Sequence, residues 1–184
     1  MKSLAGHLLI AAPELLTPFF TKTVILMLQH DETGAMGLVI NRPTEATVAG
    51  ISEAVLGESS AWEKVIRLGG PVPGPIVALH TREDLGDAPV IPGLFSTVDA
   101  ERFRTLVRER PEPSLVVANY SGWGPGQLES EFAEDSWVTL PADLDLVFTD
   151  SLDELWEKVV RKSGSRRLYQ LLDIKEIPPD PRLN

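Results

Sequence analysis

Apolar positions fall in short runs separated by turn-forming clusters, and the runs predict strands before helices. His7 to Ala12 is the first candidate strand, ended by Pro13. Thr23-Val-Ile-Leu-Met-Leu28 is almost continuously apolar, the pattern of a strand buried on both faces. His30-Asp-Glu-Thr-Gly34 reads as a turn, and Ala35 to Asn41 as the returning strand of a hairpin. Gly37 within it marks a bulge or a close backbone approach. Val65, Ile66 and Leu68 lead into Gly69-Gly-Pro-Val-Pro-Gly-Pro75, the densest turn-forming run, after which Ile76 to Leu79 predicts a strand. Residues 81–93 read as a loop with Val90-Ile91 as a short strand. Leu115 to Asn119, Ser136 to Leu140 and Leu144 to Phe148 complete the strands.

Helical spacing appears in four places. Val48, Ile51, Ala54 and Val55 are followed by Gly57 as a stop. Val98, Phe103, Leu106 and Val107 follow Thr97 or Asp99 as the start and precede Pro111. Gln127 to Glu134 places Leu128 and Phe132 on one face. Ser151-Leu-Asp-Glu154 has the form of a capping box, and Leu152, Leu155, Trp156, Val159 and Val160 make the clearest amphipathic helix, with Gly164 at its end. Seven to nine strands and about four helices, without regular β–α alternation and with early hairpins, predict an α+β fold. The length, 184 residues, suits one domain over 1–184 with a mobile C-terminal tail from about residue 175, where Pro178 to Pro181 are extended.

Charge and composition narrow the function classes. The net charge of −10 repels a phosphate backbone, so direct nucleic-acid binding is not expected. The one basic cluster, Lys158, Arg161, Lys162, Arg166 and Arg167, fits a solvated helix end favoured by the dipole. The absence of cysteine removes disulfides, thiolate metal sites and a cysteine nucleophile. The apolar run Leu8 to Ala12 is too short to span a bilayer, and the flanks make a poor signal peptide. A cytoplasmic protein without membrane association is expected.

Candidate chemistry gathers in Asn119-Tyr-Ser-Gly-Trp-Gly-Pro-Gly-Gln-Leu-Glu-Ser-Glu-Phe132, read as a strand-to-helix turn. Its glycines and free helix amides suit an anion, or permit tight packing beside Trp123 with Pro125 starting the helix. The spacing fits neither the phosphate loop nor the dinucleotide fingerprint, so no cofactor is expected. Ser121 lacks the glycine two residues before it that a nucleophile elbow requires, and His7, His30 and His80 all lie upstream of it. Those three histidines are single and widely spaced, so no metal site is expected either. Glu129 and Glu131 point apart on the helix and are not a catalytic pair. Glu129 is expected to face Arg42 across a cleft, either as a buried structural pair or as part of an anion or amide site with Asn41. The four tryptophans, Trp62, Trp123, Trp137 and Trp156, belong mostly to the core.

Gly6-His-Leu-Leu-Ile-Ala-Ala-Pro13, Thr23-Val-Ile25, His30-Asp31, Gly34-Ala-Met-Gly-Leu-Val-Ile-Asn-Arg-Pro43, Gly69-Gly-Pro-Val72 and Tyr120 to Glu129 with Trp137 occur in order along nearly the whole chain. Together they resemble the YqgE/AlgH family of bacterial proteins. The resemblance implies a branched, mostly antiparallel sheet curled into a pseudo-barrel. It supplies no catalytic residues, and its label of transcriptional regulator has no counterpart in a recognition helix here.

Two main readings follow. One is a non-enzymatic ligand- or protein-binding domain, adaptor or regulatory, whose groove is lined by Asn41, Arg42, Tyr120, Trp123, Gln127 and Glu129. The other is a metal-free and cofactor-free hydrolase of a small substrate with His30 or Glu129 as general base. Transcriptional regulation stands on the family label alone.

Overall fold

Hairpins come first because the apolar runs are separated by short polar turns. The computed structural model of the chain describes the backbone of residues 2–171 and the side chains of residues 2–164. The tail expected from about residue 175 lies outside the described residues. Strands β1 (His7–Ala11), β2 (Val24–Asp31) and β3 (Gly34–Val39) form an antiparallel meander. Strand β10 (Trp137–Pro141) returns from the far end of the chain to pair along the whole of β1. The register of β2 on β3 shifts between Met27 and Gln29, so the irregularity sits opposite Gly37. A Cβ on Gly37 would sit 2.6 Å from Ile25 Cγ2 and 2.9 Å from the Leu26 carbonyl, so this glycine serves a close approach.

The sheet branches at β9 (Ser114–Trp123). Its first half, Val116 to Ala118, lies parallel beside β5 (Val65–Leu68), the one parallel pair of the sheet among the described residues. Its second half, Ser121 to Trp123, pairs antiparallel with β3. The opposite edge of β9 carries β6 (Val72–His80), followed outward by β8 (Leu94–Thr97) and β7 (Ala88–Ile91). Strand β4 (Pro43–Thr47) hangs on β5. Between the two halves Asn119 takes φ 65°, a left-handed conformation that asparagine tolerates, and its Oδ1 accepts the Gly74 N–H. The result is one curled, branched, mostly antiparallel sheet of ten strands.

Both faces of this sheet are covered, which is why its strands read as unbroken apolar runs. Leu8, Ile10, Leu26, Leu79 and Val117 face the inside of the curl, closed by α4 (Leu144–Val147) and α5 (Leu152–Leu171). Leu9, Ile25, Met27 and Val39 face outward beneath α3 (Gln127–Ala133). Ala78 and Val116 face α1 (Val48–Leu56) and α2 (Ala100–Glu109). Each fully buried Leu or Ile contributes roughly 1.5–3 kcal/mol.

Several elements differ from the sequence reading. Pro73 to Pro75 fall within β6 rather than in a turn. The β6–β9 register shifts between Val72 and Ile76, so the prolines occupy an interrupted stretch of ladder. Leu94 to Thr97 is a strand, whereas α2 begins after Asp99, one of the two starts expected, whose carboxylate accepts from the Glu101 and Arg102 amides. Leu144 to Val147 is a helix, because Asp143 Oδ1 caps it through the Leu146 N–H. Helix α5 continues past Gly164. At its start the Glu154 N–H reaches the Ser151 carbonyl at 3.2 Å, not the hydroxyl of a capping box.

His80, fully buried at the end of β6, links this sheet to the turn Glu83–Leu85. Its Nδ1 accepts the Arg82 N–H, which leaves the proton on Nε2 to donate to Thr97 Oγ1, 2.8 Å. The Thr97 hydroxyl donates onward to the Leu85 carbonyl, 2.6 Å. Burial lowers the His80 pKa below its ordinary 6.5, with the Arg82 charge adding to the effect and Asp84 and Asp87 opposing it. The unfolded chain therefore takes up this proton first. The contribution is complete above about pH 6.5 and is lost as pH falls through the folded pKa. Thermal unfolding at pH 7.5 and 5.5 is expected to show a steeper loss in the wild type than in His80→Gln. Equal slopes would remove His80 as the cause.

Candidate functional site

Strand β9 carries the predicted corner further than its glycines suggest. Residues 120–123 continue the strand, and the turn itself is Gly124-Pro125-Gly126. Side chains alternate along a strand, so Tyr120 and Trp123 point to opposite faces. Tyr120 packs on the core inside the curl, its ring over Gly74 and Gly122, whereas Trp123 belongs to the outer core. They do not share one groove. Gly126, at φ 72°, precedes α3, and nothing lies within 4 Å of a Cβ built there. The close approaches to this corner come instead from facing glycines. A Cβ on Gly34 would overlap the Trp123 carbonyl, and one on Gly70 would overlap the Tyr120 carbonyl and the Ser121 amide. Ser121 is fully buried and donates to the Gly69 carbonyl at 3.1 Å.

Glu131, rather than Glu129, is the polar centre of the corner. Its Oε2 accepts both the Trp123 Nε1–H at 2.9 Å and the Trp137 Nε1–H at 2.7 Å. Its Oε1 accepts from Gln127 Nε2 at 3.0 Å, and Gln127 Oε1 in turn accepts the Gly124 N–H. The two indoles meet edge to face at 6.1 Å between ring centres, and Phe20 stacks on Trp123 while meeting Trp137 edge to face. Buried indole N–H groups need an acceptor, and one carboxylate serves two of them.

Glu129 faces a histidine, not the arginine expected. Its Oε1 lies 3.0 Å from Nε2 of the buried His30, a residue 99 positions earlier in the chain. His30 Nδ1 accepts the Leu4 N–H at 3.1 Å, and its carbonyl accepts the Ser3 hydroxyl. The proton therefore sits on Nε2 and donates to Glu129. The imidazole lone pair that a general base would use is occupied by Leu4. The Glu129 carboxyl lies below the usual range, through a backbone N–H at the start of α3 and then the hydrogen bond from His30.

Asn41 and Arg42 sit at the other end of the β2–β3 hairpin, roughly 20 Å away along six strand residues. Asn41 Oδ1 accepts the Val24 N–H and its Nδ2 donates to the Lys22 carbonyl, both at 2.9 Å. Arg42 donates to the Thr21 carbonyl, with its guanidinium 5.2 Å from the Phe19 ring centre. Lys22 Nζ lies 5.4 Å from the Trp156 ring. With Thr44, Leu68 and Asp153 these residues line an open groove of about 460 Å³. Trp156 is half-buried and donates to the Ala11 carbonyl; the other three tryptophans are buried.

Elsewhere, His7 Nδ1 lies 3.3 Å from the Ala5 carbonyl. Among the described residues no group of three or more His, Asp or Glu is placed to hold a metal ion, and no helix is long and apolar enough to cross a membrane. In the basic cluster Lys162 pairs with Asp143 at 2.9 Å, Lys158 and Arg161 are exposed, and the side chains of Arg166 and Arg167 lie outside the described residues.

A branched, curled α+β sheet with an indole–carboxylate corner on one flank defines a structural class rather than a chemistry. The sequence profile of that class described as AlgH-like matches residues 8–167, and the chain belongs to the AlgH-like family. It is 37% identical over 178 residues to a UPF0301 protein of Stenotrophomonas maltophilia, covering 93% of this chain and 94% of the relative. A UPF0301 protein of Chlorobaculum tepidum is 39% identical over 170 residues, 89% of each chain. The solution structure of the AlgH protein from Pseudomonas aeruginosa superposes with a TM-score of 0.76 at 30% identity, covering 97% of both chains.

Proposed function

We propose that the protein is a non-enzymatic binding domain, an adaptor or regulatory module that presents the Asn41–Arg42 groove to a ligand or a protein partner. The observation that carries this reading is the groove itself. On a chain of net charge −10 it gathers two cations, Lys22 and Arg42, each braced on an aromatic ring. Bracing reduces the freedom that a long side chain loses on binding, so an acidic group of a partner meets a preorganised surface. Gln127 and Glu129 stay outside this groove, the first tied to Glu131 and the second to His30, and Tyr120 packs on the core inside the curl. The groups that a hydrolase would call on, His30 and Glu129, are already engaged with each other and with Leu4.

Charge reversal tests the groove. Lys22 is exposed, so Lys22→Glu is expected to change stability by about 0.5 kcal/mol or less. It is expected to abolish capture of a partner that is then purified and shown to bind the wild type directly. Equal binding by both proteins would sink the groove. A hydrolytic activity lost in both His30→Ala and Glu129→Gln would replace the binding reading with an enzymatic one.

A further inference from the structure

Strand β10 ends the sheet. β1 lies along one side of it, and among the described residues no strand lies along the other. The ladder fixes which backbone groups face outward. The Ala12 N–H donates to the Ser136 carbonyl and the Ala142 N–H to the Gly6 carbonyl, in the register that pairs Leu8 with Leu140. Val138 and Leu140 therefore turn their N–H and carbonyl groups toward β1, and the alternate residues turn theirs away. Trp137 and Thr139 each direct an N–H and a carbonyl outward, and Pro141 directs a carbonyl. Pro141 has no N–H to offer, so the free ladder ends there. The other edges are blunted. β7 carries Pro89, and a Cβ on Gly6 would sit 3.2 Å from its Val90 carbonyl. β4 begins at Pro43, and its register on β5 breaks between Pro43 and Thr47.

A groove of about 770 Å³ runs along the β10 edge. Trp137, Val138 and Thr139 all line it, although Val138 packs on the core inside the curl and Trp137 on the outer core. The backbone edge, rather than one face of the strand, thus borders the groove. Phe132 adds an apolar wall on the outer side. Glu14 and Asp135 stand at the Trp137 end, both exposed, and neither has an ion pair among the described residues. His7, opposite Pro141, marks the other end.

We propose that the β10 edge docks an extended basic segment of a protein partner. The segment adds as a further antiparallel strand, with Lys or Arg at its C-terminal end against Glu14 and Asp135. Antiparallel pairing is the more stable kind per residue, and it uses the outward groups of Trp137 and Thr139 in full. Side chains opposite these two residues share their outer face, where apolar groups meet Phe132. A second copy of the chain fits poorly, since two molecules of net charge −10 repel and each brings Glu14 and Asp135 to the joint. The assignment does not depend on the Asn41–Arg42 groove having a partner.

Amide hydrogen exchange of the whole protein, followed by NMR, tests it with two acetylated and amidated peptides, Val-Thr-Val-Thr-Val-Lys-Lys and Val-Thr-Val-Thr-Val-Glu-Glu. Their valines are spaced for the outer face. In the free protein the Thr139 amide is expected to exchange fast, while β1 protects those of Val138 and Leu140. The lysine peptide is expected to bind with a dissociation constant of about 0.3 mM or tighter and, at saturation, to slow Thr139 exchange about 10-fold or more. The glutamate peptide is expected to bind about 10-fold more weakly or worse. Thr139→Pro deletes an N–H that β1 does not use and is expected to weaken the lysine peptide about 10-fold or more. Should proline disturb β10, the double variant Glu14→Gln, Asp135→Asn keeps the test open. Both positions are exposed, and asparagine tolerates the φ of 54° at residue 135. This variant is expected to leave the unfolding midpoint unchanged and to weaken the lysine peptide about 5-fold. Protection of Thr139 in the free protein at low concentration would show the edge filled by the chain itself, and protection that grows with protein concentration would show a second copy. Either result, or equal binding of the two peptides, would overturn the proposal.

Discussion

Gly70→Ala is expected to destabilise the protein by about 3 kcal/mol or more, and at the upper end to prevent folding. A Cβ at this position overlaps the Tyr120 carbonyl and the Ser121 amide, both backbone, well inside the 3.0 Å that real Cβ contacts essentially never breach. No side-chain rotation relieves it, so β9 must move away from the residue 69–70 segment. That movement breaks the Ser121 hydroxyl bond to the Gly69 carbonyl and the Gly69 N–H bond to the Ala118 carbonyl. Gly126→Ala is the control. Its φ of 72° costs roughly 1–2 kcal/mol, but no atom lies within 4 Å of the added carbon. Denaturant unfolding of both variants checks the order. If Gly126→Ala proves the more damaging, close approach of backbone at Gly70 is not what positions β9.

Glu131→Ala is expected to cost about 3–5 kcal/mol, although the residue is only half-buried. It removes one hydrogen bond from each of two buried indoles and one from Gln127, and orphans the Trp123 and Trp137 N–H groups. Glu131→Gln keeps one amide oxygen as an acceptor and is expected to lose about 1–2 kcal/mol. The indole proton resonances of Trp123 and Trp137 provide the local readout, and both should move in either variant. A loss under about 1 kcal/mol in Glu131→Ala would show that the aromatic packing holds α3 without the carboxylate.

Much of the fold was legible because the sheet is buried on both faces. Continuous apolar runs such as Val24 to Met27 admit few alternatives, and Gly57 and Asp99 ended and began their helices as their chemistry dictates. Where the reading failed, a short segment met a decisive long-range or capping contact. Leu144 to Val147 is too short for its apolar period to separate strand from helix, and Asp143 settled it. Pro73 to Pro75 have turn composition, yet β9 holds them in a strand with a broken ladder. The apolar run stops at Asn119, yet the left-handed backbone there lets the strand change partners and continue.

The site was less legible for the same reason. The sequence expects the six candidates to share one groove, but alternation along β9 separates Tyr120 from Trp123, and the hairpin's length separates Arg42 from Glu129. The contacts that matter join distant positions: His30 with Glu129, and Arg67 with the Ile40 and Thr149 carbonyls. No local spacing signals either. Arg67 sits in an ordinary strand run, Val65-Ile-Arg-Leu68, where an isolated arginine reads as a solvent-facing residue.

The branch at β9 also sets an order of events during synthesis. Strands β3, β5 and β6 emerge from the ribosome before residue 114, and each needs β9 as a neighbour. Until Trp123 is released, three strand edges wait unpaired, and β1 waits longer still for β10. A nascent chain in that condition is open to mispairing with other chains. Truncations short of β9 are therefore not expected to yield a stable fragment from either half, and the growing chain is a natural client for chaperones that shield strand edges.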